Sequence, residues 1–86
     1  MTVEFYGRIT EYTNGVKLFT PKIHPTIDKL LNELSSHFGD KFTSFINSNE
    51  ACLILVNSKG IALTGGQKTP LNEGDKIEIL PFVEAG

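Results

Sequence analysis

The chain contains a single cysteine, Cys52, so no internal disulfide can form and no thiolate cluster is available for zinc or iron–sulfur. Basic residues are few and scattered: eight Lys and Arg against ten Asp and Glu, for a net charge of −2. With no basic run and no interleaved aromatics, a phosphate-tracking surface is excluded and no nucleic-acid partner is expected. Long hydrophobic runs are missing as well. The longest, Ala51-Cys52-Leu53-Ile54-Leu55-Val56, is six residues and far too short to span a bilayer, so no membrane role is expected. The opening Met1-Thr2-Val3-Glu4-Phe5-Tyr6 has neither a basic start nor an apolar stretch. No signal peptide is therefore expected, and the location expected is cytoplasmic.

Chemistry is equally sparse. There is no carboxylate pair, no Ser-His-Asp set and no dinucleotide fingerprint, and 86 residues leave little room for a substrate pocket. His24 and His37 flank one segment without a Cys or second His at ligand spacing, so no metal site is expected. His37 is expected to meet a helix C-terminus. Cys52 begins an apolar run and reads as an inert core thiol rather than a nucleophile. Gly65-Gly66-Gln67-Lys68-Thr69 lacks the spacing of a phosphate-binding loop, and no helix comes after it. It reads as a connection between short strands.

What is present is an ordinary globular composition, 40% hydrophobic and 21% charged, enough for one domain with one core. Residues 3–9 and 16–19 mix β-branched and aromatic side chains around Tyr12-Thr13-Asn14-Gly15, and Asn-Gly is a strong hairpin cue. Pro25-Thr26 opens the one convincing helix: Thr26 suits an N-cap, and Asp28 suits the positive end of the dipole. Ile27, Leu30, Leu31, Leu34 and Phe38 keep helical spacing, and Gly39 is a natural stop. The opposite face, Lys29, Asn32, Glu33 and Ser36, is mixed in sign and argues against a membrane-surface helix.

Phe42, Phe45 and Ile46 punctuate a linking segment before the apolar run 51–56, which reads as an inner strand. Asn57-Ser58-Lys59-Gly60 reads as a turn, 61–63 as a return strand and 64–68 as loop. Leu71 is expected in the core, and Ile77 and Ile79 on one face of a last strand, 76–80. The order β-β-α-β-β-β makes an α+β domain in which one helix covers one sheet face. The other face should carry Tyr6, Arg8 or Leu80, depending on register.

The ending is the most informative stretch. Pro81 cannot donate to a ladder, so it should close the last strand and send the chain on unpaired. Phe82-Val83-Glu84-Ala85-Gly86 then tapers from two sizeable apolar side chains to almost none. Such a tail suits insertion into a partner.

Thr69-Pro70-Leu71-Asn72-Glu73-Gly74-Asp75-Lys76-Ile77-Glu78-Ile79-Leu80-Pro81-Phe82-Val83, finishing on Gly86, resembles the C-terminal signature of the MoaD/ThiS group of ubiquitin-like sulfur carriers. Phe5-Tyr6, Pro25-Thr26-Ile27 and Leu55-Val56-Asn57 extend the resemblance upstream, and the helix opening is most like the small subunit of molybdopterin synthase. One departure stands out: the group's usual Gly-Gly ending is Ala85-Gly86 here.

The resemblance implies a β-grasp (ubiquitin-like) fold, a mixed sheet of about five strands packed on one helix. Residues 1–81 would form the domain and 82–86 an extended tail. It also implies a carrier rather than an enzyme, with no bound cofactor. An E1-like activating enzyme of the MoeB/ThiF kind would use ATP to adenylate Gly86, and sulfur transfer would leave a thiocarboxylate there. Pro81, Phe82, Val83, Glu84 and Ala85 would contact partners. A MoaE-like large subunit would receive the sulfur in molybdenum or tungsten cofactor biosynthesis. The same tail also fits a carrier for another pathway, a ubiquitin-like modifier, or a β-grasp binding module that is never activated.

Overall fold

Alternation sets the sheet. In a computed structural model that describes residues 1–47 and 52–81, Val3 and Phe5 on one strand and Ile77 and Ile79 on another are all essentially buried. The residues between them point the other way. The strands are β1 (Thr2–Phe5), β2 (Leu18–Phe19), β3 (Cys52–Val56), β4 (Lys59–Gly60) and β5 (Lys76–Pro81). They form one five-stranded sheet in the order β2-β1-β5-β3-β4. β1 and β5 run parallel at its centre and every other pair is antiparallel, so the sheet is mixed.

The helix with the leucine stripe, α1 (Ile27–Phe38), lies on one face of this sheet. Its Ile27, Leu30, Leu31 and Leu34 join Val3, Phe5, Ile54, Val56, Leu71, Ile77 and Ile79 in a single core. Each fully buried side chain of this size contributes about 1.5–3 kcal/mol. The expected β-grasp arrangement, a mixed five-stranded sheet on a helix, is what the chain adopts.

Four local expectations need correction. The first strand is shorter than residues 3–9: β1 ends at Phe5, and a 3₁₀ segment, Gly7–Tyr12, which buries Ile9, lengthens the connection to its antiparallel partner β2. The Asn14-Gly15 turn does form, with both residues at positive φ, but only after that segment. Gly39, at φ 96°, does end α1, yet a second helix, α2 (Asp40–Asn47), begins at once. It buries Phe42 and Ile46, so residues read as a linker form one more helical face of the core.

The expected return strand at 61–63 is instead a 3₁₀ turn, Ile61–Leu63, and the pairing strand is β4, just before it. Asn57 and Ser58 alone make the turn, at φ 50° and 72°, the left-handed pair that suits a two-residue hairpin. Finally, the Thr26 hydroxyl does not cap α1. It bonds the Asp28 carboxylate, and that carboxylate accepts the Lys29 N–H at 3.0 Å. The α1 start is tied down from outside as well, by Lys68 Nζ to Asp28 at 2.9 Å.

Candidate docking face at the root of the tail

β5 leads to the tail, and its residues alternate between two surfaces. Ile77 and Ile79 enter the core, whereas Lys76, Glu78 and Leu80 lie on the face that α1 does not cover. Register now decides what surrounds them. Leu80 stands opposite Leu53, Glu78 stands between Glu4 and Leu55, and Glu4 stands opposite Leu18. Tyr6 continues β1 past Phe5, its N–H donating to the Ile79 carbonyl at 3.0 Å. Its hydroxyl donates to Glu78 at 3.1 Å, which places it on the same face. Tyr6, Leu53 and Leu18 are all exposed, and Leu80 and Leu55 half-exposed.

The uncovered face thus has an apolar end, Leu53, Leu80 and Tyr6, and a charged band. In that band Lys76 bonds Glu4 at 3.0 Å and lies 4.0 Å from Glu78. The Glu4 bond and both carboxylates hold the Lys76 ammonium above the ordinary lysine range. The Tyr6 phenol is raised first by partial desolvation, then by its bond to Glu78 and the neighbouring acidic charges. Two carboxylates against one ammonium leave the band acidic. An uncovered sheet face that carries several leucines is a candidate protein-docking surface.

β5 extends to Pro81, one residue past the expected strand end, where it pairs with Cys52. Pro81 is the last described residue, and Phe82, Val83, Glu84, Ala85 and Gly86 lie outside the described residues. The apolar Leu53–Leu80 pair therefore sits one step before the last described residue of β5. Of the three outer-face candidates, Tyr6 and Leu80 are brought together, while Arg8 lies in the 3₁₀ segment rather than on a strand. Leu53, Leu55, Glu4 and Lys76 escaped sequence reasoning. The run 51–56 reads as an inner strand, yet only Ile54 and Val56 are buried among its described residues. Leucines left over when one helix can cover one face were the available signal.

The remaining candidates fall away from this face. His24 Nε2 bonds Glu33 at 2.6 Å, and the His37 ring packs on Phe19 with centroids 4.7 Å apart in the last turn of α1. Cys52 is half-buried against the core, and burial pushes its thiol up. Gly66–Lys68 forms a 3₁₀ turn, held by the Thr69 hydroxyl donating to the Gly66 carbonyl at 2.6 Å. Among the described residues no three His, Cys, Asp or Glu side chains are grouped to hold a metal ion. No helix among them is long and apolar enough to cross a membrane.

Comparison with known proteins agrees with this architecture. No curated protein sequence matches the chain. The solved BexX/CysO complex of Amycolatopsis orientalis contains a similar fold, at TM-score 0.82 and 22% identity, covering 99% of this chain and 98% of that one. The small archaeal modifier protein 1 of Methanosarcina acetivorans is similar at TM-score 0.77 and 24% identity, over 99% and 94% of the two chains. The complex of subunits 1 and 2 of the molybdopterin-converting factor from Helicobacter pylori gives TM-score 0.66 and 26% identity, over 99% and 96%. The profile of the ThiS family matches residues 3–86, from the first strand through the final glycine. The chain belongs to the ThiS family, and so to the ubiquitin-like sulfur carriers, small proteins that act with partner enzymes.

Proposed function

We propose that Gly86 is the chemical handle of this protein, and that the uncovered sheet face delivers it to the enzymes that charge and discharge it. The observation that supports this most directly is the placement of Leu53, Leu80 and Tyr6 beside Pro81, with five residues ending in glycine beyond it. A partner seated on that apolar patch holds the base of the tail while Phe82 and Val83 add anchor area further along. Fixing each tail residue costs about 1–2 kcal/mol of conformational entropy, which docking of the sheet face offsets.

The chemistry is that of a bare terminal carboxylate. A carboxylate is a poor acyl donor, so an E1-like activating enzyme first brings ATP to it. A Gly86 oxygen attacks the α-phosphorus, the bond to pyrophosphate breaks, and an acyl-adenylate forms. A persulfide sulfur then attacks the acyl carbon and AMP leaves with the bonding pair. A second thiol cleaves the sulfur–sulfur bond, leaving a thiocarboxylate at Gly86 and a disulfide on the donor. Glycine suits each attack because no side chain crowds the reacting carbon. Positioning alone can account for about 7–11 kcal/mol of such barriers.

The recipient we favour is a pterin precursor of the molybdenum or tungsten cofactor, held by a MoaE-like large subunit. Likeness to the molybdopterin-converting factor complex, at 26% identity over nearly the whole of both chains, supports this reading. A carrier serving another pathway is the second reading, supported by the higher TM-score, 0.82, to the chain in the BexX/CysO complex. Intact-mass analysis of the protein isolated from cells tests the shared step, and reconstitution with a pterin precursor and the large subunit separates the two. Sulfur incorporation into the pterin supports the first reading. A charged carrier that transfers nothing to the pterin supports the second.

A further inference from the structure

On the opposite side of the molecule the connection between β2 and α1 runs beside the solvent face of α1. Glu33 pins it there, accepting the Lys22 N–H at 3.0 Å and bonding His24 Nε2 at 2.6 Å through the same oxygen. Between the two lies an open groove of about 620 Å³. Lys22 and His24 wall one side, and Lys29, Asn32, Ser36 and His37, on successive turns of α1, line the other.

The lining is lopsided in charge. Glu33 is its single carboxylate, and it already faces a backbone N–H and His24. Lys22 and Lys29 have no ion-pair partner among the described residues, as is also true of Arg8, Lys17, Lys41 and Lys59. In a protein of net charge −2 this groove thus carries two ammonium groups against one carboxylate, a net positive lining, with amide, hydroxyl and imidazole groups between them. Ile23, between Lys22 and His24 in sequence, is 60% exposed. The groove is too open to enclose a small molecule and is of a size for a few residues of extended chain.

We propose that this groove docks an acidic segment of a partner protein, with carboxylates meeting Lys22 and Lys29. The buried stripe of α1 faces the sheet, so the groove and the Leu53–Leu80 patch lie on opposite sides of the domain. One carrier can then hold two proteins at once, one on each side. Docking in the groove is independent of any reaction at Gly86.

The test is an amide-shift titration of the ¹⁵N-labelled protein with a blocked Leu-Glu-Asp-Leu-Glu-Glu peptide at low salt. Shifts are expected at Lys22, Ile23, Lys29, Ser36 and His37, with Glu4, Lys76 and Leu80 little changed. The double variant Lys22→Ala and Lys29→Ala alters only exposed side chains, and its spectrum reports whether the fold is kept. It should weaken binding by about two- to thirtyfold, the range that two exposed ion pairs supply. Shifts confined to the sheet face, or an affinity unchanged in the double variant, would overturn the proposal. So would sodium phosphate reproducing the same shifts at the same concentration, because the groove would then be a free-anion site.

Discussion

Leu53 and Leu80 face each other across β3 and β5 on the sheet surface that α1 leaves uncovered, one step before Cys52–Pro81, the last described pair of the two strands. Neither residue is needed to hold the core, which lies on the other face. Replacing both with serine should therefore leave the fold intact. It should raise the activating enzyme's KM for the carrier about tenfold or more, since central apolar anchors each contribute more than about 1 kcal/mol. Steady-state kinetics alongside thermal unfolding checks this. An unchanged KM would move the docking surface elsewhere.

The Asn57-Ser58 turn holds serine at φ 72°, where a β-carbon costs about 1–2 kcal/mol. Ser58→Gly removes that strain but adds freedom to the unfolded chain. A net gain near 1 kcal/mol should raise Tm by about 4–8 °C. Differential scanning calorimetry reads it directly. Asn57 is a different case. Its side chain bonds Asp75 at 2.9 Å and accepts the Lys76 N–H at 3.0 Å, so Asn57→Gly should lose stability despite the same backbone sign.

Asp28 should set part of the acid sensitivity. The Thr26 hydroxyl, then the Lys68 ammonium, lower its carboxyl to about 2. A depressed folded pKa gives stability that is complete above the unfolded value near about 4. That stability fades as pH falls toward about 2. Asp28→Asn should thus be less stable than the parent at neutral pH, with the gap closing across that window. Tm measured against pH for both proteins checks the sign.

Cys52 should behave as a core thiol. Burial raises its pKa, so little thiolate is present and access is restricted. Ellman's reagent should react with the native protein at least about tenfold more slowly than with the protein unfolded in guanidinium chloride. Equal rates would make Cys52 an accessible thiol at the root of the tail.

Much of this architecture was legible because strong periodicities met clear boundaries. The stripe from Ile27 to Leu34 specified α1, and Ile77 and Ile79 specified the buried side of β5. The turn at Asn57-Ser58 was legible too, although the strand it leads into is Lys59–Gly60 rather than residues 61–63. α2 was missed because Gly39 is a genuine stop, and eight residues with Phe42, Phe45 and Ile46 give a weak period. The 3₁₀ segment was missed because Asn14-Gly15 marks a turn without fixing how much chain precedes it.

The uncovered sheet face was only half visible. Alternation shows which residues share a face within a strand, but the partners across strands come from register, a long-range property. Leu53 opposite Leu80 is such a fact, and no local pattern states it.

The most direct measurement is the intact mass of this protein recovered from cells making it together with its activating enzyme. The account predicts a population in which one oxygen at the Gly86 carboxyl is exchanged for sulfur, absent when Gly86 is deleted and absent when ATP is withheld from the purified pair. A chain that keeps an unmodified carboxylate under every such condition, while a ThiS-family carrier charged in parallel gains sulfur, would contradict it.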